Sequence, residues 1–211
     1  KLIIVGDKTM PLDSYENFAS LVEPDRVHKA CYADEKVFEA ELENIFYKSW
    51  IYVGHESQIP NPGDYWTTWI GKERVIFCRA EDGKVHVLFN RCAHRGALLC
   101  NNHHGNVAKA FRCPYHAWQY NMDGSLRNVP IKKGYEGIIE LDDPQLQLQR
   151  PARQETYRGF VFASLAEQGP SLDEWMGQGA RSAFDDICNR SPEGECEIVM
   201  NCFRIIQHSN W

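Results

Sequence analysis

The sequence lacks several features that would assign it to common functional classes. No stretch approaches the roughly 18 consecutive apolar residues that a membrane-spanning helix needs. No dense run of lysine and arginine is present, and the formal net charge is −6, which argues against a general nucleic-acid binder. The opening segment, from Lys1 to Gly6, has neither a sustained apolar region nor a small-residue cleavage site, so no secretory signal is predicted. We therefore expect a cytoplasmic protein that binds neither membrane nor nucleic acid.

Cysteine is also sparse, with eight among 211 residues, which is too few for a disulfide scaffold. In a reducing compartment, cysteines that cluster with histidines are more often metal ligands than disulfide partners. Hydrophobic residues at 43% and charged residues at 25% are typical of a globular protein. The informative question is which cysteines lie close to histidines.

The residue pattern that predicts secondary structure changes twice along the chain. Residues 1–33 read as an extended arm, and a helix is predicted over residues 34–50, capped by Asp34 and carrying a helical stripe of apolar residues. Residues 50–165 then contain short segments of β-branched and aromatic residues separated by turn sequences, which predicts an antiparallel sandwich or barrel. The predicted strands are 51–54, 65–70, 74–79, 85–89, 117–120, 126–129, 146–150 and 159–164.

After residue 165 helical features return. Ser171-Leu-Asp-Glu174 is a capping-box sequence, and it predicts a helix that continues towards Ile187. A long strand is predicted over Cys196–Ile206. The fold class predicted for the chain is therefore mainly β, with a helix on each side of the antiparallel domain.

The motif with the clearest chemistry is Cys92-Ala-His94 followed by Cys113-Pro-Tyr-His116, each pair in a loop between predicted strands. Two thiolates and two imidazoles on facing loops suit a tetrahedral zinc site. They equally suit a [2Fe–2S] cluster with two cysteines on one iron and two histidines on the other. The residue types alone leave both possibilities open.

The sequences flanking these ligands resemble a known family. Asn90-Arg-Cys-Ala-His-Arg-Gly96 and Phe111-Arg-Cys-Pro-Tyr-His-Ala-Trp118 are similar to the two cluster-binding boxes of Rieske proteins. More narrowly, they resemble those of the large (α) subunit of aromatic-ring-hydroxylating oxygenases. The resemblance extends from the helix near Asp34 through Trp211.

The resemblance implies a Rieske [2Fe–2S] cluster held by Cys92, His94, Cys113 and His116. The thiolates would bind one iron and the imidazoles the other. The surrounding residues it implicates are Arg95, Gly96, Tyr115 and Trp118.

A subgroup of the Rieske proteins can be set aside. Respiratory Rieske proteins tie their two cluster loops together with a disulfide, but Ala97 and Tyr115 stand at the matching positions here. Trp118 also stands where those proteins offer a serine hydroxyl to the cluster. Since fewer hydrogen bonds to the cluster sulfurs lower the reduction potential, we expect a reduction potential of about −150 mV rather than about +300 mV.

The resemblance also implies a domain organisation. Residues 50–166 would be the Rieske domain, and residues 1–49 and 167–211 would be outer parts of an α+β catalytic domain. The mononuclear non-haem iron of this family, held by two histidines and a carboxylate, would lie after Trp211, so no catalytic residue is assigned within the chain.

The implied function is to relay single electrons to an iron that activates O₂ and hydroxylates an aromatic substrate. The electrons would come from NAD(P)H through a ferredoxin or reductase. Within this family, the sequence most resembles enzymes that act on aromatic acids such as salicylate or terephthalate. The family's homotrimer or α3β3 assembly, with a small β subunit, is the expected oligomer.

Two alternatives remain beside this interpretation. A free-standing Rieske ferredoxin would need only the β domain, and a zinc-stabilised binding module would leave Arg95, Gly96 and Trp118 without a role.

Cys100 with His103 and His104 is a candidate accessory metal site. The remaining cysteines are interpreted as buried thiols and His55 and His86 as structural, with the role of His208 open; those cysteines are Cys31, Cys78, Cys188, Cys196 and Cys202.

Overall fold

The computed structural model describes residues 18–135, 137, 138, 140 and 142–199. These residues divide into two compact units, 18–47 and 48–199, each treated by itself below. Cys202, His208 and most of the strand predicted over Cys196–Ile206 lie outside the described residues. The described part of that segment, residues 196–199, is not a strand.

The unit of residues 18–47 is a small helical cluster preceded by a two-stranded hairpin. Leu21, Ala30 and Val37 form its buried core. Residues 18–33, expected to be an extended arm, therefore contain regular structure. The elements are β1 (Val22–Glu23), β2 (Arg26–Val27), α1 (Ala30–Ala33), α2 (Glu35–Glu41) and a π-helical stretch Leu42–Phe46.

The predicted helix begins where the sequence indicated but ends early. Asp34 caps it, since its side chain accepts a hydrogen bond of 2.8 Å from the backbone N–H of Lys36. The helix then widens into the π-helical stretch, which adds residues to a turn and rotates later side chains away from the original stripe. Ile45, predicted on the buried stripe, is consequently 52% exposed.

The unit of residues 48–199 is built from antiparallel sheets, which confirms the predicted mainly β class. The three sheets have the orders β6-β5-β4-β7, β11-β12-β3 and β10-β9-β8, and within the described residues they do not close into a barrel. The strands are β3 (Ile51–His55), β4 (Asp64–Ile70), β5 (Glu73–Arg79), β6 (Val85–Phe89), β7 (His104–Asn106), β8 (Phe111–Arg112), β9 (Gln119–Tyr120), β10 (Leu126–Asn128), β11 (Arg153–Tyr157) and β12 (Phe160–Ser164).

The strand predicted over 146–150 is not formed. Pro144–Leu146 is a 3-10 turn whose start is capped by Asp143, and residues 147–150 have no regular secondary structure. The strand that pairs with β12 is instead β11, in the register Arg153 to Ser164. Its polar sequence, Arg-Gln-Glu-Thr-Tyr, gave no apolar signal.

Strand β5 separates two hydrophobic cores. Ile76 and Cys78 point into one core, whereas Val75 and Phe77 point into the other, and all four side chains are fully buried. Successive side chains of a strand point to opposite faces, so β5 is covered on both sides. The first core also contains Cys92, Cys113 and Trp118, so the loops of the Cys/His motif are anchored to the centre of the unit.

Helix α3 (Leu172–Cys188) packs on the sheet formed by β3, β11 and β12. The predicted capping box is present: Glu174 N donates to Ser171 Oγ at 3.3 Å, and Ser171 N donates to the Glu174 carboxylate at 2.9 Å. Gly177, with φ 61° and ψ 177°, interrupts the helix after its first turn. Among the described residues, no helix combines the length and apolar character needed to cross a bilayer.

Candidate metal centre

The first ligand loop follows β6 and is held by a buried amide. Asn90, 2% exposed, donates to Cys100 O at 2.7 Å and accepts from the N–H groups of Leu99 and Cys100 at 2.9 and 3.0 Å. Because the side chain of Asn90, at the start of the loop, is bonded to the backbone at the end of the loop, Cys92 and His94 lie on a closed loop rather than on a free segment.

The two ligand loops repeat the same backbone pattern. Cys92 N donates to Ala97 O at 2.9 Å, and Gly96 N donates back to Cys92 O at 2.8 Å. In the second loop, Cys113 N donates to Trp118 O at 2.8 Å, and Ala117 N donates to Cys113 O at 3.0 Å. The residue four positions after each cysteine has a positive φ, 70° for Gly96 and 57° for Ala117.

The four predicted ligands are brought together between these loops. Cys92 and Cys113 are each 2% exposed and belong to the same buried core. The rings of His94 and His116 have centroids 4.8 Å apart at an angle of 67°. The structure thus presents the thiol pair and the imidazole pair that the sequence motif predicted to converge.

Aromatic rings fix the orientation of both imidazoles. The Trp118 indole lies parallel to His94, with centroids 4.7 Å apart and an interplanar angle of 3°. The Tyr115 ring lies 3.7 Å from that of His116 and is itself 60% exposed. Tyr115 and Trp118 therefore contact the two histidines directly, whereas Arg95 lies exposed beside them.

Tyr120 is a residue at the centre that the sequence analysis missed. Its hydroxyl lies 3.2 Å from Cys92 Sγ and accepts a hydrogen bond from the N–H of Ala93 at 3.2 Å. With Ala93 as donor, the hydroxyl proton is free to point at the sulfur. The signal available in the sequence was its position directly after the second ligand loop, at an inward-facing site of β9.

Burial and neighbouring groups shift the pKa values of two of the ligands, His94 and Cys92. Burial, followed by the nearby His116 and Arg95, lowers the pKa of His94, so its ring is neutral at pH 7. Burial also raises the pKa of the Cys92 thiol, against the opposing hydrogen bond from Tyr120. A bound cation would replace the thiol proton, because thiolate is the ligand form.

The arrangement fits a two-iron cluster. The Nδ1 atoms of His94 and His116 are buried and have no hydrogen-bond partner among the described residues, although buried ring nitrogens are normally bonded. In the same described part of the chain, no group of three or more His, Cys, Asp or Glu side chains forms a single-ion site. Two thiols and two unpartnered nitrogens suit a cluster that takes two protein ligands on each iron.

The predicted accessory site is not formed. Cys100 is buried against Tyr65, and burial raises the pKa of its thiol to about 12. His104 stacks on Trp66 with centroids 4.9 Å apart, and His103 is exposed. Among the residues that the structure describes, Cys100 forms no metal-binding group with these imidazoles.

The other cysteines and histidines divide by burial. Cys78 and Cys188 are fully buried as predicted, but Cys31 and Cys196 are partly exposed, so the prediction of buried thiols is wrong for those two. His55 is 4% exposed, and its ring bonds Ser57 Oγ at 2.9 Å, which supports the structural role.

Comparison with known proteins gives a consistent result. The family described as "Rieske [2Fe-2S] domain" matches residues 49–146. The chain is 37% identical over 186 residues to the benzene 1,2-dioxygenase α subunit of Pseudomonas putida, covering 88% of this chain and 40% of that protein. It is 36% identical over 200 residues to the toluate 1,2-dioxygenase α subunit of the same species, covering 91% and 43%.

Solved structures give the same relationship. Naphthalene 1,2-dioxygenase from Rhodococcus sp. superposes with a TM-score of 0.74 at 35% identity, covering 79% of this chain and 37% of that one. The quaternary ammonium Rieske monooxygenase CntA gives 0.67 at 31% identity, covering 76% and 45%. The chain thus spans about two fifths of the length of the curated relatives it matches.

Proposed function

This chain belongs to the Rieske oxygenase α subunits, corresponding to their N-terminal part with the Rieske [2Fe–2S] domain, and on that premise we propose that it is the electron-relay part of an aromatic-ring-hydroxylating oxygenase. The observation that carries the proposal is the pair of matched loops. They enclose two buried thiols and two buried Nδ1 atoms that have no hydrogen-bond partner among the described residues.

In this proposal Cys92 and Cys113 hold one iron as thiolates, and His94 and His116 hold the other as neutral imidazoles. Bound there, the cluster supplies reversible one-electron transfer. Trp118 and Tyr115 hold the imidazole planes, and Tyr120 donates a hydrogen bond to Cys92 Sγ. The partly exposed rings of His94 and His116 give a donor protein access to the centre, whereas the buried sulfurs of Cys92 and Cys113 are shielded from water.

The remainder of the enzyme is proposed from the relatives. Similarity to α subunits over 186 residues extends beyond the matched domain, which favours the oxygenase over a free-standing carrier. We propose residues 50–166 as the Rieske domain and residues 1–49 and 167–211 as parts that accompany the catalytic domain. The mononuclear non-haem iron that activates O₂ belongs to that catalytic domain, outside the described residues.

The proposed substrate is an aromatic compound, with an aromatic acid preferred. The similarity to a toluate dioxygenase supports the acid, although benzene and biphenyl dioxygenases are similarly close. The proposed partners are a ferredoxin or an NAD(P)H-dependent reductase, in a homotrimer or an α3β3 assembly in the cytoplasm. Oxygen uptake by the whole enzyme with benzoate-type and with benzene-type substrates would distinguish the two substrate classes.

Iron, zinc and acid-labile sulfide per chain, measured on anaerobically purified protein, test the cluster directly. Two irons and two sulfides are expected. One zinc without sulfide would mean that the four ligands close a structural site, and the electron-relay function would be wrong. A redox titration should then give a midpoint potential of about −150 mV, and a clearly positive midpoint potential would contradict the proposed class of oxygenase.

The variant His116→Cys tests the relay. It should retain a cluster with a potential lower by about 100 mV, since a thiolate adds negative charge. Product formation by the whole enzyme should stop, because the donor could no longer reduce the centre. The matched control His103→Cys changes an exposed histidine outside the loops and should leave both readouts unchanged. Undiminished turnover of His116→Cys would refute the relay role.

A further inference from the structure

A cavity of about 300 Å³ lies beside the first ligand loop. One wall is formed by this loop and the end of β6, and the other by a segment that follows the second loop. The lining residues are Phe89, Arg91, Cys92, Ala93 and Gly96 on the first wall and Gln145, Gln147 and Gln149 on the second. Most of them are exposed, so the cavity is open to solvent. Cys92, a proposed iron ligand, therefore borders an open space although the residue itself is 2% exposed.

The second wall follows from the alternating sequence Gln145-Leu-Gln-Leu-Gln149. Leu146 and Leu148 pack on the core that contains Cys92, and Phe89 N donates to Gln149 O at 2.9 Å, so the backbone of the segment is fixed. The three glutamine side chains are left to line the cavity. Two of the three are exposed, and exposed side chains change rotamer rapidly, so this wall can move without uncovering apolar surface.

Other approaches to the thiols are more obstructed. Asn90 closes the neck of the first loop with three hydrogen bonds, which an opening of the loop would break. The fully buried Tyr120 covers Cys92 on a further side, with its hydroxyl 3.2 Å from the sulfur. The histidine rings are partly exposed, but a component that arrived on their side would have to pass the iron that they hold before it reached the buried thiols.

Arg91 places a positive charge at the cavity. Its side chain is 52% exposed and is held only by long contacts, from Nη2 to Gln149 Oε1 at 3.4 Å and from Nη1 to Glu73 Oε2 at 3.9 Å. Exposed ion pairs of this length contribute little, so the guanidinium can turn towards another anion. In a chain with a net charge of −6, a local cation of this kind raises the concentration of small anions at the cavity.

We propose that this cavity is the route by which iron and sulfide reach and leave the buried thiols, and that Arg91 attracts them as hydrosulfide and as small anionic iron complexes. The inference rests on the proposed function, since it requires that the four ligands hold a [2Fe–2S] cluster. The route requires only the movement of exposed glutamine side chains, and the first loop stays closed.

Iron removal from the cluster-loaded chain, reduced with dithionite, tests the route with two chelators of different charge. Ferrozine carries sulfonate groups and is anionic, whereas 2,2′-bipyridyl is neutral. In Arg91→Gln we expect ferrozine to remove iron several-fold more slowly and bipyridyl to remove it at the unaltered rate. Added salt should slow ferrozine but not bipyridyl on the unaltered chain, because salt screens the arginine charge.

Two further arginine variants distinguish the cavity from other surfaces. Arg112 precedes Cys113 as Arg91 precedes Cys92, but it does not line the cavity, so Arg112→Gln is the matched control and should leave both rates unchanged. Arg95 lies exposed beside the histidines. An unchanged ferrozine rate in Arg91→Gln would overturn the proposal, and a slower rate confined to Arg95→Gln would place the route at the histidines instead.

Gln147→Trp narrows the cavity without changing its charge. It should slow iron removal by both chelators several-fold. The matched control Gln168→Trp alters an exposed glutamine on the loop after β12, outside the cavity lining, and should have no effect. Equal rates in the two tryptophan variants would contradict the route. Visible absorption and iron analysis before the chelator is added keep the two conclusions apart, because an unaltered chain without two irons and two sulfides would refute the proposed function.

Discussion

The Tyr120 hydroxyl is the single polar side-chain group that the described structure places on a candidate ligand sulfur, and its effect is measurable. In Tyr120→Phe the hydrogen bond to Cys92 Sγ is lost, and the reduced, more negative centre loses more stabilisation than the oxidised one. If the difference is about 1 kcal/mol, the midpoint potential falls by about 40 mV. Redox titration measures this shift. Tyr135→Phe, whose ring contacts Trp118 edge-on at 6.0 Å, serves as the control and should not move the potential.

The matched loops make a paired prediction about backbone strain. Ala117 adopts a φ of 57°, a region that L-residues other than glycine occupy at a cost, whereas Gly96 adopts 70° at the equivalent place. Ala117→Gly should raise the free energy of unfolding by about 0.5 kcal/mol. Gly96→Ala should lower it by about 1 kcal/mol, because alanine is strained at this positive φ, whereas the added Cβ would meet only Arg91 at 3.9 Å, an ordinary contact. Urea unfolding of both variants measures these changes, and changes of the same sign would contradict the prediction.

At this scale the sequence identified the four residues that converge and two aromatic neighbours, Tyr115 and Trp118, but it did not identify Tyr120. The Cys/His spacing is local, so the two boxes could be read directly. The contact between Tyr120 and Cys92 depends on how β9 approaches the first loop, so it does not follow from residue type or spacing.

At the scale of elements, helix α3 begins with a titratable cap. The backbone N–H of Ser171, followed by its hydroxyl, lowers the pKa of Glu174. The pKa of Glu174 is lower in the folded state than in the unfolded state, where it is near 4.5. The ionised Glu174 carboxylate therefore stabilises the folded chain above pH 4.5, and this stabilisation is lost as the pH falls through the pKa of the folded state. The stability advantage of the unaltered chain over Glu174→Gln should therefore shrink from pH 7 to pH 3.5. Thermal unfolding at both pH values tests this, and a constant difference would contradict it.

The elements that could be predicted are those with a strong local signal. Strands β3 to β6 were found because they are rich in β-branched and aromatic residues, and α3 was found from its capping box. Strands β7 and β8 are two or three residues long and β11 is polar, so their pairing is decided by neighbouring strands. The π-helical stretch after α2 likewise changes the helical period without an evident sequence signal.

At the scale of the whole molecule, the three hydrophobic cores around the metal centre and α3 consist entirely of residues 48–199. A shortened chain of residues 48–199 should therefore fold and bind two irons and two sulfides, with an absorption spectrum like that of the full chain. A chain of residues 56–199 is the matched control, because it lacks β3, the partner of β12. It should lose the cluster, and iron and sulfide analysis of both chains measures the outcome. Loss of iron from the longer of the two would show that residues 1–47 are required.

The antiparallel class of the sheets could be predicted from the sequence, but their connections could not. The predicted sandwich or barrel left open which strands meet, and the observed pairing of Phe160 with His55 joins segments that are far apart in the chain. Such pairing depends on the packing of whole sheets, so local patterns do not specify it.

The separation between these paired segments has a consequence for the order of events during synthesis. Both ligand loops, with Asn90 and Tyr120, lie between residues 90 and 120, whereas β12 emerges from the ribosome some forty residues later. At a translation rate of about 5–20 residues per second, the loops are exposed to the cell for about 2–8 seconds before β12 can join β3. During that interval iron and sulfide delivery would compete with air oxidation of Cys92 and Cys113. Cluster loading of the newly made chain should thus respond to how fast the ribosome reads the stretch between Tyr120 and Phe160.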